Sequence, residues 1–112
     1  MLYIDQLINT GFSYGSPNFN STFNAAPYVY TFLQKCVQDF PQYKPRELSV
    51  FGESYGGHWI YYAEYIAEQN DLIKAGKLNA TPLNLAYVGL NNAWYNPILQ
   101  MKAHVDYSYT NG

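Results

Sequence analysis

The chain opens on a short apolar run at residues 2–4, ahead of the polar Asp5 and Gln6, and this reads as a buried strand. Residues 9–20 are rich in Gly, Ser, Asn and Pro and read as a long loop. Ser21 or Thr22 then caps a helix whose apolar positions are Ala26, Val29, Phe32, Leu33, Val37 and Phe40, at three-and-four spacing. Pro41 ends it, because proline disfavours helix in the preceding residue. A polar link at 42–46 leads to a second strand at 47–52, carrying Leu48, Val50 and Phe51. A helix over 57–70 has Ile60, Ala63, Ile66 and Ala67 on one face. After a polar loop at 74–82, residues 84–90 read as a third strand. Pro97, favoured at a first helical position, opens a last helix.

Strand, helix, strand, helix, strand, helix is the order that builds a parallel sheet covered by helices, an α/β three-layer sandwich. Its crossovers would be right-handed. Three strands make a thin sheet, so residues 1–112 read as the central fragment of a larger domain. Composition agrees. Charged residues make up 12% of the chain, about half the usual share, so part of the surface is expected to be covered by more protein. Aromatics at 19% exclude a disordered chain.

A net charge of −2 without a basic run argues against nucleic acid as a partner. No apolar stretch reaches the length of a membrane span, and the first residues lack the basic region and cleavage site of a signal peptide. Cys36, in an apolar helical pattern, reads as a buried core thiol, with a disulfide to another part of the protein as the alternative. Asn20-Ser21-Thr22 and Asn79-Ala80-Thr81 are N-glycosylation sequons in polar stretches, and they favour secretion.

The chemistry sits at Gly52-Glu53-Ser54-Tyr55-Gly56, a G-x-S-x-G pattern with a strand expected before it and a helix after it. This is the pattern of a nucleophile elbow, in which the serine occupies a sharp, strained turn with its hydroxyl exposed. Small residues two before and two after, Gly52 and Gly56, let such a turn close. The positive end of the following helix stabilises negative charge developing there, and the N–H of Tyr55 can donate to an oxyanion. The competing reading is a plain glycine-rich turn between strand and helix.

Four blocks in register sharpen the reading. Gly52-Glu53-Ser54-Tyr55-Gly56-Gly57-His58 resembles the G-E-S-Y-[AG]-G-[HK] signature of serine carboxypeptidases, the family of carboxypeptidase Y. Asp5-Gln6 with Gly11-Phe12-Ser13-Tyr14 is similar to that family's D-Q-P-x-x-x-G-F-S-Y block. Phe32-Leu33 with Phe40-Pro41-Gln42-Tyr43 resembles its F-L…F-P-E-Y helix end, and Gly89-Leu90-Asn91-Asn92 with Asn96-Pro97 its G-x-x-N-G…D-P block. The Trp94-Tyr95-Asn96-Pro97 variant looks most like secreted fungal members. Leu7, Asn92 and Asn96 depart from the pattern, where the family has proline, glycine and aspartate.

The resemblance implies a partial α/β-hydrolase fold and a serine-type carboxypeptidase that releases C-terminal residues through an acyl-enzyme on Ser54. It implies peptide or protein C-termini as partners, beside the remaining segments of the same domain, and no cofactor or metal. It also implies a secreted or vacuolar location for the full-length protein. Under it, the Tyr55 N–H is half of the oxyanion hole and Glu53 helps bind the substrate's terminal carboxylate. Two carboxyls share a hydrogen bond only when one is protonated, so such binding favours acidic conditions. Asp5 and Gln6 would shape the site from the second layer. Ser54, Asp71 and His104 follow the Ser…Asp…His order of the fold, but this internal triad is rejected. The family's Asp and His come much later, Asp71 sits at a helix end, and His104 has no partner pattern. His58 falls on the helix behind the nucleophile and reads as structural. The block with the second oxyanion donor is expected before Met1, and the catalytic Asp and His after Gly112. The isolated chain is therefore expected to be an inactive piece. Acyl transfer to an alcohol, a non-catalytic truncated product, and a general esterase are the alternatives.

Overall fold

The computed structural model describes residues 1–16 and 21–112. The sequon at Asn20 lies outside them. Helix α1 runs Thr22–Asp39, strand β1 Leu48–Glu53, helix α2 Ile60–Lys74, strand β2 Leu85–Asn91 and helix α3 Pro97–Asn111. A single 3-10 turn, Pro41–Tyr43, follows α1, and a longer one, Ser54–Trp59, joins β1 to α2.

The termini of α1 follow from local chemistry. The Ser21 hydroxyl accepts from the Asn24 N–H at 3.3 Å, satisfying one of the donors a helix start leaves open. At the other end Pro41 stops the helix after Asp39. The α1 seam is Ala25, Ala26, Val29, Tyr30 and Leu33. Phe32 and Phe40, read as core positions, are instead 41% and 51% exposed. Cys36 is a free, half-buried thiol.

The α1 seam meets Tyr62 and Ile66 of α2, and Leu83 closes the cluster, with Leu48 and Leu85 packed against it. Two side-chain amides hold the loop ahead of β2. Gln34 donates to the Thr81 carbonyl at 2.7 Å and accepts from the Thr81 N–H at 3.1 Å. Asn70 does the same for Leu83, at 2.7 and 2.9 Å. Each amide replaces a missing strand partner for a half-buried backbone, and together they deliver Leu85 to the start of β2. Asn79 is exposed in this loop.

The sheet is parallel, with Leu48 opposite Leu85, an irregularity, and then regular pairing from Ser49–Tyr87 to Glu53–Asn91. Among the described residues it has two strands, not three. Residues 1–6 form no strand, and Leu2 and Tyr3 are 52% and 83% exposed. A strand requires a neighbour to take its backbone groups, and this segment is held by side chains instead. Asp5 accepts from the Phe12 N–H at 2.9 Å, and Gln6 donates to the Tyr62 hydroxyl at 3.3 Å.

The three-layer expectation is met only as a mixed α/β arrangement. Phe51 and Tyr87 lie on one open face of the sheet, 72% and 65% exposed. Helix α3 buries no residue at all. The Cα radius of gyration is 16.6 Å, against about 13 Å for a closed domain of this size. Sparse charge and wide apolar exposure thus coincide, as the composition suggested.

Candidate functional site

Strand β1 ends at Glu53, and the chain turns directly into a helical stretch at Ser54. Ser54 has φ 55°, the left-handed region that an L-residue avoids at a cost of about 1–2 kcal/mol. This strain sits on the serine that the sequence pattern marks, at the carboxyl end of a parallel strand. Glu53, Ser54 and Tyr55 are all exposed, while Gly52 and Gly56 are buried beneath them.

The two glycines are not equivalent. A Cβ on Gly52 would run into the Gly56 carbonyl, with its carbon 2.7 Å away, so the turn closes on itself only without one. A Cβ on Gly56 would meet the Trp59 ring at 3.6 Å, an ordinary contact. Gly57 is the second position with no room: a Cβ there would lie 2.7 Å from the Trp94 nitrogen and 2.9 Å from the Ala93 Cβ. The expectation that Gly52 and Gly56 together admit the turn therefore divides, with the steric demand falling on Gly52 and on Gly57.

Residues 92–96 pack against this turn. Trp94 N–H donates to the Ser54 carbonyl at 2.7 Å. Gln100 gathers the segment, accepting from the N–H groups of Tyr95 and Asn96 at 3.0 and 2.9 Å and donating to the Ala93 carbonyl at 2.8 Å. Asn96, which departs from the aspartate of the motif, caps α3 by accepting from the Leu99 N–H at 3.2 Å. A short polar acceptor suffices at an N-cap, so asparagine serves there. Asn92 takes φ 42°, a conformation asparagine tolerates better than most residues.

The aromatic rings follow the backbone. His58 lies 4.7 Å from the Tyr55 ring and edge-on to Trp94 at 6.1 Å. Behind them Trp59 stacks on Tyr62 at 6.2 Å. Burial, above all, pushes the Tyr62 phenol up from its ordinary pKa, against the lowering effect of its bond to Gln6.

Among the described residues, no hydrogen bond joins the Ser54 hydroxyl to an imidazole or a carboxylate. Asp71 is exposed in the last turn of α2, about 16 Å along the helix axis from Ile60, and His104 is exposed on α3. The structure does not bring Ser54, Asp71 and His104 together. No cluster of three or more His, Cys, Asp or Glu side chains is placed to hold a metal among the described residues. No helix there is long and apolar enough to cross a membrane.

Neither the Trp94 N–H nor Gly57 is marked by the G-x-S-x-G pattern as part of this site. The signal was faint: the block around Asn91 to Pro97 was legible, and Asn92 and Ala93 read as a turn near the site, but nothing in the sequence marks the bond from the Trp94 N–H to a carbonyl forty residues earlier.

Comparison with known proteins gives this turn its setting. The family model for serine carboxypeptidase matches residues 1–112. Carboxypeptidase S1 of Penicillium janthinellum is 46% identical over 112 residues, covering 99% of this chain and 26% of the relative. Carboxypeptidase Y of Komagataella phaffii is 35% identical over 103 residues, 91% of this chain and 18% of its own. A pheromone-processing carboxypeptidase of Aspergillus clavatus is 34% identical over 115 residues, all of this chain and 18% of its own. The chain thus spans about a quarter of the length of the first of these relatives and less than a fifth of the other two. Matched along its full length by one family, the chain belongs to the serine carboxypeptidases.

Proposed function

We propose that this segment carries the nucleophile of a serine-type carboxypeptidase and works as part of a longer chain. The observation that supports it best is the strained, exposed Ser54 at the end of β1, within a sequence that belongs to this family. Ser54 Oγ attacks the carbonyl of the last peptide bond. Its proton passes through a base, supplied by another segment, to the departing amino acid. The acyl-enzyme is then cleaved by water. The Tyr55 N–H donates to the carbonyl oxygen as it gains negative charge. Glu53, on the strand residue before the nucleophile, binds the terminal carboxylate when one of the two carboxyls is protonated. A secreted or vacuolar, glycosylated full-length protein is part of the same reading, with Asn79 exposed for modification.

The test is Ser54→Ala in the full-length protein, with release of the C-terminal residue of a blocked dipeptide as readout. Loss of release is expected, and retained release overturns the assignment. Adding an alcohol to the wild-type reaction separates hydrolysis from acyl transfer by the ratio of acid to ester product. The isolated 112-residue chain, whose Ser54 hydroxyl has no basic partner among the described residues, is expected not to react with a fluorophosphonate. Rapid labelling at Ser54 would refute that.

A further inference from the structure

The geometry points to Trp94 as a positioning residue: its main-chain N–H holds the Ser54–Tyr55 peptide in the orientation that makes the Tyr55 N–H an oxyanion donor. This rests on the roles proposed above for Ser54 and Tyr55. Trp94 N–H donates to the Ser54 carbonyl at 2.7 Å. A trans peptide is planar, so its C=O and N–H point in opposite directions. The carbonyl that Trp94 grips and the N–H of Tyr55 are two ends of one rigid plane, and fixing one end fixes the other.

The turn needs such a grip. Ser54 has φ 55°, and strain of this kind persists only where the surroundings impose it. Relaxation of Ser54 towards negative φ would swing the next peptide plane away. A hydrogen bond accepted by the carbonyl also polarises the peptide and strengthens its N–H as a donor.

Trp94 is itself seated from two sides. Gly57 leaves room for its backbone, since a Cβ there would come within 2.7 Å of the Trp94 nitrogen. Its ring meets His58, which leans on Tyr55. Hydrogen bond and ring contacts close a circuit through Ser54, Trp94, His58 and Tyr55, in which His58 is a spacer and not a base.

The experiment replaces Trp94 in the full-length protein by its α-hydroxy acid counterpart. The backbone ester removes the N–H and keeps the ring. A matching ester at Leu83 removes a donor of the same kind, to Asn70 at 2.9 Å, without touching the elbow. The readouts are kcat and KM on a blocked dipeptide, and affinity for a peptidyl boronate, whose tetrahedral adduct on Ser54 presents an oxygen to the oxyanion position. The Trp94 ester is expected to lower kcat and boronate affinity about tenfold with KM within about twofold, a fraction of what deleting an oxyanion donor costs. A Trp94 loss no larger than that at Leu83, or one confined to KM, overturns the clamp. Should the Trp94 ester not fold, Gly57→Ala displaces the same N–H from the other side, and an unchanged kcat overturns the clamp there. Fluorophosphonate labelling of the unmodified protein runs alongside. Absence of label on Ser54 sinks the nucleophile and the clamp together, whereas normal labelling with indistinguishable esters sinks the clamp alone.

Discussion

Gly52→Ala is expected to damage the site although it adds a single methyl group, and Gly56→Ala is not. At Gly52 the new carbon would overlap the Gly56 carbonyl oxygen and lie 2.7 Å from its carbon. Ordinary contact begins at about 3.4 Å, so the turn has to open by about 0.7 Å or more, and both colliding partners are backbone. Overpacking of this kind costs about 1–3 kcal/mol in stability. Ser54 and Tyr55 lie between positions 52 and 56, so the opening moves both. A displacement approaching 1 Å in a catalytic constellation is worth about a hundredfold in rate, or about 2.7 kcal/mol of activation free energy. At Gly56 the nearest atoms to a Cβ belong to the Trp59 ring at 3.6 Å, and its φ lies outside the left-handed region. Alanine there is accommodated and is expected to add about 0.5–1 kcal/mol of stability by restricting the unfolded chain. The assay is kcat/KM on a blocked dipeptide with the full-length protein, paired with urea denaturation. Gly52→Ala within threefold of wild type, or Gly56→Ala as damaged as Gly52→Ala, would refute the steric argument.

Three further outcomes follow from the same contacts. Ser54→Gly is expected to raise stability by about 1 kcal/mol by releasing the left-handed strain, whereas Ser54→Ala keeps that strain; equal urea midpoints for the two variants would contradict this. Asn70→Asp replaces the donor facing the Leu83 carbonyl by an acceptor and is expected to cost about 1–3 kcal/mol, read from the thermal midpoint at neutral pH. Tyr30 carries a buried hydroxyl without a partner among the described residues, so Tyr30→Phe is expected to be neutral or stabilising by up to about 1 kcal/mol. Burial first, and then the neighbouring Tyr65, pushes the Tyr30 phenol up, and burial does the same for Tyr62. The folded state therefore holds these protons more tightly than the unfolded one. Their contribution is complete below about pH 10, the ordinary tyrosine value, and is lost as the pH rises through the folded values. Tyr30→Phe should flatten the alkaline decline in stability, and an unchanged slope would count against the burial argument.

Features that depend on a few consecutive residues could be read directly along the chain. Ser21 caps α1, Pro41 stops it and Pro97 opens α3, because capping oxygens and the proline ring act on their own turn. The sharp turn at Ser54 was legible for the same reason, since a serine bracketed by glycines between an apolar strand and a helix describes its own backbone. Seams were harder to read. Ile60 and Ala67 of the expected face are exposed while Tyr62 is buried, because α2 turns Tyr62 and Ile66 towards the α1 seam, a choice of packing partner that the periodicity of α2 alone does not make. Tertiary structure alone decided the rest. An apolar run at residues 2–4 becomes a strand only beside a strand edge, and that is a non-local condition. Nothing near Ser54 in the chain announces that a backbone N–H forty residues on will fix its carbonyl, or that Gly57 is a glycine for the sake of Trp94. Local rules can set a backbone's conformation, but which distant groups hold a strained turn in place is settled only when the chain folds back on itself.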